Sequence, residues 1–370
     1  MSAKQTKNRP RVNRKSGVRF LNTVPRSQAK GLLDDLYTQI ETEYLLAPPF
    51  TLHSPVPELL ASMWCCFRES FLVGRVPHLA KEAVAMGVSL SNRCPYCVEA
   101  HTMALRVGAG NAQTRAITRD LPPDEGSSPL AALARWAETM RNPRAEDLAH
   151  PPFGPEEAPE IIGTGLIFHY INRLVSVFCD DSPFPLPSAL GPLHGLLRRV
   201  MAWMMAPRVR TMLNQTLQPD PSLTAEPEAP RSKTFNWAAG NPNIRVAFEG
   251  FAAVLNDLIQ SHIPPEVQQA ARRYIHTWDG EDPGLSTAWL EDSVADLSEA
   301  DRSAARLALL VSVAPYRVDA QAIGAFQKHF PGNTPLLILS SWASFSVLQA
   351  IGTRLQTLYS FQTAYPPIDI

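Results

Sequence analysis

Apolar residues recur at three- and four-residue spacing along most of this chain, while strict alternation of apolar and polar positions is scarce. Leu32, Leu33 and Leu36 mark one face of a helix from about Ala29 to Glu43. A long helix is expected from Glu58 to Val73, with Trp64, Phe67, Phe71 and Leu72 as its buried stripe. Another begins after Pro77 and carries Glu82, and the next runs from Pro95 and stops at Gly108 and Gly110. Further helices are expected at Pro129 to Met140, Pro159 to Phe178 and Leu190 to Met205, joined by Pro-rich connections. The fold class expected from this pattern is all-α.

The stretch Pro207 to Pro242 is polar and rich in proline, which predicts a linker. Beyond it the pattern restarts. The run from His53 to Trp64 has a loose counterpart from Gly240 to Phe251, and Cys94-Pro-Tyr-Cys-Val-Glu-Ala-His101 aligns with Ala314-Pro-Tyr-Arg-Val-Asp-Ala-Gln321 at a constant offset of 220. Four residues are kept and Glu99 becomes Asp319, but both cysteines and the histidine are replaced, and the same offset sets Arg302 opposite Glu82. The expected organisation is a basic arm over residues 1–30, a first domain over 31–206, a linker over 207–242 and a degenerate counterpart over 243–370, with an internal pseudo-twofold interface.

Charge adds one feature. Residues 1–30 hold nine Lys or Arg and no acid, so with a total of −1 the remaining 340 residues sum to −10. The arm reads as solvated and disordered; with no aromatic residue before Phe20, no nucleic-acid partner is expected. No apolar secretory segment follows the basic start, and the apolar run Gly165 to Phe178 is broken by His169, Asn172 and Arg173, so no membrane span is expected and the chain is placed in the cytoplasm.

Candidate chemistry lies between residues 82 and 101. On a helix starting at Pro95, Cys94 is the N-cap, and Cys94, Cys97 and His101 fall on one face at i, i+3 and i+7. A helix N-terminus favours thiolate, so the pair is expected to have a lowered thiol pKa, with His101 as a base near neutral pH. Glu82 could orient that imidazole if the chain folds back far enough. Zinc would need a fourth ligand, and no second Cys or His pair stands at metal spacing, so neither metal nor cofactor is expected. A thioredoxin-like domain would need strands around the motif. Cys65, Cys66 and Cys179 sit in apolar runs and read as inert core thiols.

Glu82, eleven residues, Cys94-x-x-Cys97, three residues and His101, with the flanks Asn-Arg-Cys-Pro-Tyr-Cys-Val-Glu-Ala-His, resembles the AhpD-like alkylhydroperoxidases of the carboxymuconolactone decarboxylase superfamily. The resemblance implies an AhpD-like helical bundle that reduces a hydroperoxide: Cys97 as the peroxidatic thiol, Cys94 as the resolving one, Glu82 and His101 as proton relay, and Tyr96 at a further proton-handling position. It also implies re-reduction by a dithiol or protein-thiol reductant and assembly as a homo-oligomer, a dimer or trimer. Phe168, His169 and Tyr170 are candidates for the pocket wall, with core packing the alternative for Phe168. A lyase of the same superfamily, working through histidine without thiols, and a non-enzymatic redox-sensing interaction protein are the other readings.

Overall fold

Proline at a first-turn position opens seven of the described helices, its fixed φ suiting a place where no backbone N–H is needed. The computed structural model describes residues 17–118, 128–184, 194–220, 233–284 and 286–359. Their α-helices are α1 (Leu32–Glu43), α2 (Pro48–Thr51), α3 (Pro57–Phe67), α4 (His78–Ser91), α5 (Pro95–Gly108), α6 (Gly110–Thr118), α7 (Pro129–Thr139), α8 (Ala158–Phe178), α9 (His194–Asn214), α10 (Pro242–His262), α11 (Pro265–Thr277), α12 (Ala288–Val294), α13 (Glu299–Val313), α14 (Ala320–Gln327) and α15 (Asn333–Tyr359). No strand longer than an isolated bridge occurs among the described residues, so the protein is all-α. Ser128, Asn241, Ser298 and Asp319 cap α7, α10, α13 and α14 by accepting a backbone N–H three residues on.

Helix α4 carries the architecture around the site. It packs on α7, α5 and α8. Its Gly87 lies so close to α7 that a Cβ there would stand 2.0 Å from the Ala134 carbonyl oxygen, so no larger residue permits this approach. The start of α4 is pinned by a buried pair: Lys81 Nζ lies 2.7 Å from Glu160 Oε2, and the same carboxylate accepts the N–H groups of Arg75 and Val76. Lys81 also donates to the Val73 carbonyl at 2.5 Å, so neither charge is left unpartnered.

Helix α8 is buried along almost its whole length, packing on α4 and on α15, while α3 packs on α10. One apolar core therefore contains residues from Val18 to Leu355. Arg173 crosses this core: its Nε donates to the Ser312 carbonyl at 2.7 Å near the end of α13, and another guanidinium nitrogen donates to its own helix at the His169 carbonyl at 2.6 Å. Unpaired carbonyls at a helix C-terminus attract a cation. Burial, helped by nearby Arg141, still pulls Arg173 down to about 9.

Several expectations need correction. Residues 17–30 are not a loose arm: Arg19 N donates to the Phe178 carbonyl at 2.6 Å, and Arg26 pairs with Asp34 and Glu41. Residues 1–16 lie outside the described residues. Helix α9 continues through Pro207 to Asn214, so the Pro-rich connection begins later than composition implied; residues 221–232 lie outside the description. Pro207 is tolerated on an exposed face, where the lost bond is open to water. Helix α3 is shorter than expected because Arg68–Leu72 adopts the wider π geometry. At the residues aligned with the motif, Pro315–Arg317 forms only a 3₁₀ turn: Asp319 caps a new helix where Glu99 lies inside α5.

Two helices, Ala158–Phe178 and Asn333–Tyr359, are long and apolar enough to span a bilayer, the second not singled out from sequence. Their most apolar windows are 94% and 78% buried inside the protein.

Candidate functional site

Helices α4 and α5 are joined by a tight reversal in which Arg93 takes a φ of 52°, uncommon for a residue with a side chain. Its guanidinium is held by Asp282 at 2.7 Å and lies 5.8 Å from the ring centre of Tyr316. The reversal lays α5 back along α4. Glu82, in the second turn of α4, thereby meets His101 across nineteen positions of sequence, with Oε2 at 2.6 Å from Nδ1. A carboxylate only accepts, so Nδ1 carries the hydrogen and Nε2 is left as the basic nitrogen.

Cys94 is the N-cap of α5, and Cys97 stands in the first turn. Both thiols are free and buried. The two respond to the helix end in opposite ways. Burial would raise Cys94, but interactions with the Cys97 thiol and backbone N–H and with the Ser176 hydroxyl bring it below the ordinary thiol value. Burial raises Cys97 well above that value, and the sulfur of Cys94 beside it adds to the rise, with only the Asn172 side chain opposing. Helix-end acidification therefore reaches Cys94, and the expectation of a lowered pKa fails for Cys97. Proximity makes the second negative charge costly.

A cavity of about 280 Å³ opens beside Cys97 and His101. Tyr44, Phe50, Phe67 and Phe168 supply aromatic walls and Leu46 an aliphatic one. Cys94 does not line it and is fully buried. Tyr96 does line it; its phenol is raised, first by burial and then by the sulfurs of Cys179, Cys97 and Cys94 and the Tyr44 phenol. Of the residues proposed for the wall on α8, Phe168 fits, with its ring centre 4.8 Å from that of His101. His169 and Tyr170 do not: they point elsewhere on the helix, His169 toward Asn92 and Arg173, and Tyr170 to His53 at 2.8 Å.

Other neighbours were missed. Tyr44, half-buried, ends α1, and its phenol is raised first by desolvation and then by Glu82 and Cys97; no spacing rule connects it with the motif. His78 lies four residues before Glu82, a spacing that does put two side chains on one helix face. Among the described residues no three His, Cys, Asp or Glu side chains converge as a metal site. Cys66 and Cys179 are buried, while Cys65 is half-buried and pushed up to about 12, mainly by burial.

Residues 57–139 match the carboxymuconolactone decarboxylase family. Over 339 residues, 91% of this chain and 94% of its relative, the sequence is 32% identical to a Mycobacterium tuberculosis (strain ATCC 25618 / H37Rv) protein named alkyl hydroperoxide reductase Rv2159c. The chain belongs to the AhpD-like group of the carboxymuconolactone decarboxylase superfamily. In this AhpD-like protein the family match spans α3 to α7 and so contains Glu82, Cys94, Tyr96, Cys97 and His101. The later positions Arg302, Arg317 and Gln321 form no equivalent cluster: Gln321 is exposed, Arg317 and Arg302 are half-buried, and Arg302 donates to the carbonyls of Ala295 and Leu297.

Proposed function

We propose that the protein reduces organic hydroperoxides through a disulfide cycle of Cys97 and Cys94, with Glu82 and His101 as the proton relay. The observation that carries this is a shared wall: Cys97 and His101 line the same apolar cavity, and Glu82 holds the outer nitrogen of His101 so that Nε2 is the one available to a thiol. The unequal thiols suit the two roles. Cys97 has access to the cavity but a raised pKa, so it needs a base; Cys94 is secluded and acidified, as a resolving thiol should be.

In the cycle, the Cys97 proton passes to His101 Nε2 and the sulfur attacks the distal peroxide oxygen. The O–O bond breaks, the alkoxide takes the proton from His101 and leaves as alcohol, and Cys97 becomes a sulfenic acid. Cys94 then attacks the Cys97 sulfur, and hydroxide leaves as water with the Cys94 proton. A dithiol or protein-thiol reductant reverses the S–S bond by exchange. Tyr96 borders this path and supplies a neutral hydroxyl to the peroxide.

The reading is tested by adding cumene hydroperoxide to the reduced protein and counting free thiols. Two thiols lost per peroxide consumed, with continuous turnover when a dithiol is present, is the expected result; an unchanged thiol count overturns it. We infer also that residues 243–370 are a degenerate counterpart of the first domain. The packing of α3 on α10 supports this, since the loosely matching runs His53 to Trp64 and Gly240 to Phe251 lead into those two helices.

A further inference from the structure

Glu82 has two oxygens, and the relay to His101 uses one. The other, Oε1, faces His78 Nε2 at 3.7 Å. His78 is anchored from its far side, where Nδ1 lies 3.0 Å from the Met212 carbonyl oxygen on α9. A carbonyl only accepts, so Nδ1 carries the hydrogen and any proton gained or lost by His78 is on Nε2. That nitrogen makes no hydrogen bond to the described residues. A neutral His78 therefore turns a lone pair toward a carboxylate oxygen, an arrangement that improves only when a proton enters between them.

The surroundings keep the pair apart from solvent. The His78 side chain is 7% exposed and that of Glu82 2%. The Phe71 ring, on the π segment, meets His78 edge-on at 4.7 Å and reaches His101 edge-on at 6.5 Å, so one apolar ring borders both imidazoles that face the carboxylate. The titratable groups facing His78 are Glu82 and Lys81 on its own helix and His101 on α5, with the Met212 carbonyl from α9 and the Phe71 ring from the π segment. Burial lowers the proton affinity of His78, and Lys81 and His101 lower it further, while Glu82 and the Met212 carbonyl oppose this.

We propose that His78 is a second imidazole on the relay carboxylate, a positioning residue that on taking up a proton draws Glu82 away from His101 and so weakens the relay in mild acid. The inference rests on the peroxidase reading for its role in turnover but not for its coupling. Two imidazoles sharing one carboxylate titrate as a coupled set: a charge on His78 cancels part of the attraction that Glu82 exerts on the His101 proton.

The experiment uses the full chain with ring-15N-labelled histidine, comparing wild type with His78→Gln and Glu82→Gln. In the wild type, His78 is expected as the Nδ1–H tautomer, and the His101 signals should respond in two steps. His78→Gln should leave a single step of ordinary width, and Glu82→Gln should move the His78 midpoint downward because its counter-charge is gone. In peroxide assays, the ratio of the pH 5 rate to the pH 7 rate should rise by about threefold or more in His78→Gln. An unchanged His101 curve in a folded His78→Gln variant overturns the proposal, as does a His78 midpoint that ignores Glu82→Gln. Loss of all peroxide consumption in the wild type would remove the peroxidase reading instead, and the ring titrations would still decide the coupling.

Discussion

His101 Nδ1 lies 2.6 Å from Glu82 Oε2, a contact between the middle of α5 and the second turn of α4 that fixes which imidazole nitrogen faces the cavity. Replacing Glu82 by Gln keeps the size but removes the charge that stabilises an imidazolium. The rate of thiol oxidation by cumene hydroperoxide should drop by about a hundredfold, with little change in KM, because the substrate cavity is untouched. Single-turnover quench followed by thiol counting measures this.

The two cysteines should separate cleanly. Cys97→Ser is expected to abolish peroxide consumption, whereas Cys94→Ser should consume one equivalent and stop at a sulfenic acid that a dimedone probe captures. Capture on Cys94 in Cys97→Ser would exchange the two roles.

Leu46 borders the apolar cavity. Leu46→Trp should raise KM for cumene hydroperoxide by about tenfold while leaving hydrogen peroxide, which needs little room, within about twofold. Steady-state rates with both substrates are the check.

The Lys81 and Glu160 pair predicts an asymmetry. Glu160→Gln leaves a buried ammonium without its counter-charge and should cost about 3 kcal/mol or more in urea unfolding. Lys81→Met should cost less, because Glu160 keeps the N–H groups of Arg75 and Val76.

His53 sets part of the acid stability. It is buried, and burial lowers it to about 3, with the backbone hydrogen bonds to Pro49 and Phe50 opposing. Since the unfolded chain takes up this proton near 6.5 and the folded one only near 3, the contribution is full above 6.5 and is lost as pH falls between those values, at about 1.4 kcal/mol per pH unit. His53→Gln keeps the partners but cannot be protonated, so its urea midpoint should fall less steeply over the same window.

Much of this protein was legible in one dimension. Helical spacing, first-turn prolines and capping residues act over four residues or so, which is why α1, α3, α4, α5, α7 and α8 and the common face of Cys94, Cys97 and His101 could be read from the chain, whereas the short α2 and α6 were not. The substitutions at Ala314, Arg317 and Gln321 were equally plain in the sequence, whereas the break of the helix at Asp319 depended on a cap that the aligned Glu99 does not form.

What the sequence by itself determined was therefore the helical class, the motif and its face. The tertiary structure alone decided that Glu82 reaches His101, that Tyr44 and His78 join them, that His169 and Tyr170 turn away from the cavity, and that Cys94 rather than Cys97 is the acidified thiol. The reason is physical: helix formation depends on near neighbours along the chain, whereas burial, shared charge and hydrogen bonding between α1, α4, α5, α8 and α9 depend on which surfaces the packed core brings into contact.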